Sequence, residues 1–135
     1  MKIVLDSNLI MAAFATRGLC AEIFEFCIER HDVYVCDQIL SELNKNFEKK
    51  LKMPQDKIRL IIQYLKDHCN YIEDIEITER VSRDPDDDGI ISLAVKSDST
   101  FIVTGDKDLL VLKKYKQIQI LTPREFWEVL KQKID

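Results

Sequence analysis

Short apolar runs alternate along the chain with stretches in which apolar residues recur every three or four positions, the period of an amphipathic helix. Lys2 to Leu5 is such a run and predicts a strand that ends in Asp6. Ser7 and Asn8 then offer capping chemistry to a helical stretch from Leu9 to Phe14. After the break at Ala15 to Gly18, the spacing of Leu19, Ile23, Phe26 and Cys27 predicts a second helix up to His31. Val33 to Cys36 is rich in strand formers, and Asp37 follows as an expected N-cap for a helix from Gln38 onward. Leu40, Leu43, Phe47 and Leu51 form that helix's buried stripe, with Glu42 beside it. Met53-Pro54 marks a boundary before a long helix carrying Ile58, Ile61, Ile62, Leu65 and Cys69, which ends near Asn70.

Tyr71 to Ile77 alternates apolar and polar residues and predicts an edge-like strand with one wet face. Pro85 has a φ suited to a first helical turn, so Asp87 to Lys96 is expected to be helical with Asp86 as its N-cap. Thr100 to Thr104 is an expected buried strand, and Gly105 to Asp108 turns sharply into a short helix from Leu109 that Asp108 is placed to cap. Ile118 to Leu121 is the last strand. Thr122-Pro123-Arg124-Glu125 has the form of a capping box leading into a helix with Phe126, Trp127, Val129 and Leu130. This alternation of strands and helices implies an α/β layer fold whose mainly parallel sheet is covered on both faces.

Composition narrows the class. A length of 135 residues with 46% apolar and 33% charged residues fits one domain spanning 1–135 with a core of its own. No apolar span is long enough for a membrane helix, and the chain turns acidic at Asp6 before a signal-peptide core could form, so a cytoplasmic protein is expected. Cys20, Cys27, Cys36 and Cys69 form no C-x-x-C pair, and only His31 and His68 could join them at zinc, so all four read as small core residues. A net charge of -4 argues against nonspecific coating of nucleic acid by the whole surface. The run Lys45, Lys49, Lys50, Lys52, Lys57 and Arg59 is an ordinary solvated face that could also reach a nucleic-acid backbone.

The acids carry the chemistry. Asp84, Asp86, Asp87 and Asp88 crowd into five residues, and a helix N-terminus has use for one carboxylate, not four. Like charges at this spacing repel and call for full solvation or a cation. In open parallel sheets, ligands sit outside the carboxyl ends of the strands. Asp6 and Asp106 follow strands, Asp88 opens one helix and Glu42 lies early in another, so four elements deliver acids to one edge. Each acid alone has a plain explanation as a cap, a turn former or a solvated residue; the joint pattern is what counts. Oxygen-only donors suit a hard cation such as Mg²⁺ or Mn²⁺, and the chemistry that fits is phosphodiester hydrolysis.

At these residues the sequence resembles the PIN-domain family, in particular its prokaryotic toxin-like branch. Leu5-Asp6-Ser7-Asn8 is similar to the family's opening acid with its following Ser/Thr and Asn. Ser41-Glu42-Leu43 is similar to its internal acid, Asp84 through Ala94 to its third acidic motif, and Thr104 to Leu110 to its fourth. The resemblance implies a three-layer α/β/α fold around a five-stranded, mainly parallel sheet and an Mg²⁺ or Mn²⁺ site. It implies Asp6, Glu42, Asp88 and Asp106 as catalytic and metal-binding residues, with Ser7, Asn8, Asp86, Asp87, Thr104 and Asp108 around them. The spare acids leave open whether Asp86 or Asp87 shares the ligand role of Asp88. It further implies an endoribonuclease acting on single-stranded RNA, an antitoxin protein as partner, and a homodimer.

Two other classes share parts of the pattern. A haloacid-dehalogenase-like phosphatase needs a second Asp two residues after the first, where this chain has Asn8. A non-catalytic PIN-like module that binds RNA or protein is the alternative, and the complete set of four acids argues against it.

Overall fold

The computed structural model describes residues 1–134. The first half comprises β1 (Lys2–Leu5), α1 (Ser7–Ala15), α2 (Leu19–Arg30), β2 (Asp32–Cys36), α3 (Asp37–Leu51) and α4 (Gln55–His68). The second comprises β3 (Asn70–Ile72), α5 (Pro85–Lys96), β4 (Phe101–Val103), α6 (Lys107–Leu110), β5 (Lys114–Tyr115), β6 (Ile118–Leu121) and α7 (Pro123–Ile134). The strands form one sheet in the order β3-β2-β1-β4-β6-β5, parallel except for the β5–β6 pair. Ile3, Val4 and Leu5 are fully buried in succession, as are Ile102 and Val103, so residues pointing to opposite faces of the central strands are all covered. Helices on both sides provide that cover: α1 packs on α2 and α3, α3 on α4, α2 on α7, and α5 lies against β1, β2 and β4.

The chain enters at β1, moves outward to β2 and β3, and then crosses to β4 on the other side of β1. This reversal places a switch point between the carboxyl ends of β1 and β4, where parallel sheets open a crevice. Leu5 pairs with Val103 at that end, so Asp6 and Thr104 emerge side by side.

Several local features differ from the pattern read off the sequence. The sheet has six strands rather than five; the extra one is the two-residue β5, whose Lys114 and Tyr115 pair with Gln119 and Ile118 inside a lysine-rich run. The strand expected over Tyr71 to Ile77 stops at Ile72, because Asp74 takes a left-handed φ of 54° and turns the chain off the sheet edge. Asp37 is the first residue of α3, with Cys36 at the N-cap, and its carboxylate instead accepts a hydrogen bond from the Tyr71 hydroxyl. Asp84, not Asp86, caps α5, since Pro85 occupies the first helical position directly after it. The capping box of α7 is present as expected, with Thr122 N–H donating to Glu125 at 2.9 Å and Glu125 N–H to Thr122 Oγ1 at 3.1 Å.

Leaving β3, the segment 73–84 runs without regular structure, and side chains hold it down in place of a ladder. Ser92 Oγ accepts the N–H groups of Thr78 and Glu79, each at 3.2 Å. Glu79 is buried and accepts from Tyr115 Oη at 2.7 Å and Lys116 Nζ at 2.9 Å. The Lys116 and Tyr115 hydrogen bonds lower the Glu79 carboxyl from 4.5 to about 2. A depressed folded value stabilises the fold at higher pH, and that stability is lost as pH falls from about 4.5 toward 2. Glu79→Gln is therefore expected to flatten the acid limb of the melting profile in this window and to raise amide exchange at Thr78 and Val81. Melting curves and hydrogen exchange check both.

Candidate metal centre

Asp6 leaves β1 with its own N–H bonded to Val103 O at 3.1 Å and serves as the N-cap of α1, accepting Leu9 N–H at 2.9 Å. Its other oxygen accepts the hydroxyl of Thr104, which stands at the end of β4. Burial raises the Asp6 carboxyl above the ordinary carboxylate value, partly offset by the Thr104 hydroxyl and the Leu9 and Gly105 amides, with the Asp106 charge adding to the rise. Ser7, one residue on, donates to Glu42 Oε2 at 2.7 Å and so ties the start of α1 to α3. Asn8 is exposed on the first turn of α1.

The third acidic stretch divides its carboxylates among separate tasks. Asp84 caps α5 by accepting Asp86 N–H at 3.0 Å. Asp87 lies three residues on, one helical turn along the same face, and is buried. Oxygens of Asp84, Asp87 and Asp106 all lie within 4.8 Å of one another. Asp86 is exposed, while Asp88 is buried and turned to the irregular segment, its Oδ1 accepting Val81 N–H at 3.0 Å and Ser82 N–H at 2.9 Å. Ser82 in turn donates its hydroxyl to Asp87 at 3.2 Å. Asp106 caps α6, accepting Asp108 N–H at 2.8 Å, because that helix begins at Lys107; the expected cap, Asp108, is already inside it.

Asp87 shows what this proximity costs. Its carboxyl is raised from 3.8 to about 7, chiefly by burial, then by the charge of Asp106, with Asp84 and a hydrogen bond to Asp106 adding to the rise against the lowering by Ser82. Without a cation, this crowding favours the protonated carboxyl of Asp87 well above the usual carboxylate range. The donors are carboxylate oxygens, so the set fits a hard divalent ion and poorly suits a soft one.

Of the residues expected from the sequence, Asp106 joins this cluster. Asp6 is raised in part by the Asp106 charge, and Glu42 is tied by the Ser7 hydroxyl to the start of α1, one residue after Asp6. The cluster contains Asp87 and Asp84, while Asp88 anchors the segment 73–84. Asp84 was legible in principle: an acid before a proline marks an N-cap, and position i+3 from it is Asp87. Ser82 carries no such signal, because its hydroxyl meets Asp87 from an irregular segment, and for Gln38 only the i+4 spacing to Glu42 on α3 is visible in sequence, not its contact with Asp86 on α5. The anchoring role separates two substitutions. Asp88→Asn keeps an acceptor for both N–H groups and is expected to melt near wild type, whereas Asp88→Ala strands them and is expected to cost about 1–3 kcal/mol, read by urea denaturation.

Fold and site together define an α/β domain with an acidic, oxygen-donor centre at the switch point of a parallel sheet. The model of the PIN domain family matches residues 2–108, and the chain belongs to that family. No curated protein matches the sequence. Among solved structures, the chain is similar to VapBC2 from Rickettsia felis bound to a DNA fragment from their promoter, with 14% identity, a TM-score of 0.63, and 90% of this chain and 98% of that one covered. It is similar to VapBC-1 from nontypeable Haemophilus influenzae at 15% identity and a TM-score of 0.64, covering 92% and 99%. The PIN domain endonuclease Utp24 aligns at 20% identity and a TM-score of 0.53, covering 90% and 84%. At these identities the likeness is one of fold.

Proposed function

We propose that this chain is a divalent-metal-dependent endoribonuclease that hydrolyses phosphodiester bonds of single-stranded RNA in the cytoplasm. The observation that carries the reading is the meeting of Asp84, Asp87 and Asp106 around a carboxyl raised to about 7, an arrangement a cation relieves. Asp84, Asp87 and Asp106 would hold Mg²⁺ or Mn²⁺, with Asp6, Glu42 and Asp88 as the further acids that the family resemblance brings to the site. When bound, the ion supplies Lewis acidity for water and for the charge gathered on phosphorus. The protein's part is placement. Asp6 is fixed by three donors from Leu9, Thr104 and Gly105, and Glu42 by Ser7, so neither carboxylate has to reorganise. Asp87, raised chiefly by burial and then by the Asp106 charge, can hold or release a proton near neutral pH within the cluster.

The VapBC complexes among the similar structures support a further reading, that this chain is the toxin of a toxin–antitoxin pair and binds an antitoxin protein; that it does so as a homodimer is what the family resemblance implies. The test of the enzymatic reading is incubation of the purified chain with end-labelled single-stranded RNA in Mg²⁺, in Mn²⁺ and in chelator. Internal cleavage with either ion and none in chelator is expected. RNA retained but uncut in both ions would favour a non-catalytic PIN-like binding module.

A further inference from the structure

The two sides of the acidic site sit on different helices, and one side chain bridges them. Glu42 lies on α3 with Oε2 taken by the Ser7 hydroxyl, while Asp84 and Asp87 belong to the first turn of α5 and its cap. Gln38, one turn before Glu42, places its amide nitrogen 3.1 Å from Glu42 Oε1 and 2.6 Å from the carbonyl oxygen of Asp86. Both partners only accept, so the nitrogen must face them and the amide oxygen must face away. Away is toward Gly89: a Cβ built there would sit 1.8 Å from Gln38 Oε1 and 2.9 Å from Cδ. Glycine inside a helix weakens it relative to alanine, and Gly89 has no positive φ to excuse it. Its absent side chain is what lets the Gln38 carboxamide lie across α5.

We propose that Gln38 is a positioning residue that fixes Glu42 relative to the Asp84–Asp87 turn, and that Gly89 is the clearance this bridge requires. The proposal rests on the metal-dependent reading of the site. Partners that orient metal-binding side chains commonly change metal affinity or activity by about 10- to 100-fold when removed, which sets the scale.

The geometry makes Gly89→Ala informative, because the atoms it would strike are the far end of a flexible side chain. The substitution is expected to expel Gln38 from its place without unfolding α5, raising the melting temperature through helix propensity while lowering activity. Gln38→Ala is expected to lower activity to the same extent. In the double variant Gln38→Ala/Gly89→Ala the new methyl meets no carboxamide, so it should melt at or above wild type yet cut no better than either single variant.

The experiment measures, for wild type and the three variants, the Mn²⁺ dissociation constant by calorimetry, the melting temperature, and the Mn²⁺-dependent cleavage rate of single-stranded RNA. Expected are a wild type that binds and cuts, and three variants about 10- to 100-fold weaker in ion binding, in cleavage or in both, with non-additive effects despite raised or unchanged melting temperatures. A wild type that binds and cuts, with variants that match it in both, overturns the bridge. A wild type that neither binds Mn²⁺ nor cuts overturns the underlying reading, and the bridge with it.

Discussion

Asp87→Asn is expected to reduce Mn²⁺-dependent RNA cleavage by at least about a hundredfold while holding or raising the melting temperature in chelator. The two effects have one cause. Asp87 is buried against Asp106 and near Asp84, and its carboxyl sits at about 7 because ionising it there is costly. The amide is nearly the same shape, carries no charge, and can donate to Asp106, so the metal-free fold loses a repulsion and keeps its packing. The same change takes one anionic donor from a site of three. Asp106→Asn should behave alike in cleavage, with a smaller gain in stability, since Asp106 also caps α6 and an asparagine caps nearly as well as an aspartate. Cleavage time courses and melting curves on the same preparations check both. A stable Asp87→Asn variant that cuts at the wild-type rate would remove Asp87 from the site.

The second large effect is on pH dependence. The folded Asp87 carboxyl is raised above its ordinary 3.8 to about 7, and burial raises Asp6 in the same direction. A raised carboxyl favours the folded state where it is protonated. That contribution is complete below about 4 and is lost as pH climbs through about 7. In chelator, the melting temperature is therefore expected to fall from pH 5 to pH 8. Mn²⁺ binds the ionised carboxylates, so its stabilisation should grow over the same range, reaching about 2.7 kcal/mol at a hundred times its dissociation constant. Asp87→Asn should flatten the chelator profile between pH 5 and 8 and leave untouched the separate acid limb that Glu79 produces at lower pH. Differential scanning calorimetry across pH, with and without Mn²⁺, reads all of this; a chelator profile flat from pH 5 to 8 would contradict it.

The parts of this protein that were legible in its sequence are those set by local pattern. Strands such as Lys2–Leu5 and Phe101–Val103 are apolar because both faces of the sheet are covered, and the α7 capping box is written in four consecutive residues. The acid-bearing strand ends followed from the parallel order. What the sequence hid was settled by partners far along the chain. Ile72 ends β3 although the alternation continues to Ile77, because Asp74 turns left-handed and Ser92 and Asp88 capture the amides that follow. β5 lies in a polar run that no hydrophobic period marks, held by its pairing with β6. Within Asp84 to Asp88, composition shows a surplus of acids but does not say which of them meet Asp106. Pro85 fixes Asp84 as the cap, the helical turn then aligns Asp87 with it, and Asp88 is drawn instead to Val81 and Ser82. The bridge through Gln38 was invisible because it depends on Asp86 and Gly89, some 48 residues away along the chain in the case of Asp86.

The most direct test is anomalous diffraction at the manganese edge from crystals soaked in Mn²⁺ at pH 8, above the raised value of Asp87. A peak bounded by the carboxylates of Asp84, Asp87 and Asp106 is expected, lost in crystals of Asp87→Asn soaked in the same way. Full soaking with no peak there, or a peak only at acids elsewhere on the surface, would contradict it.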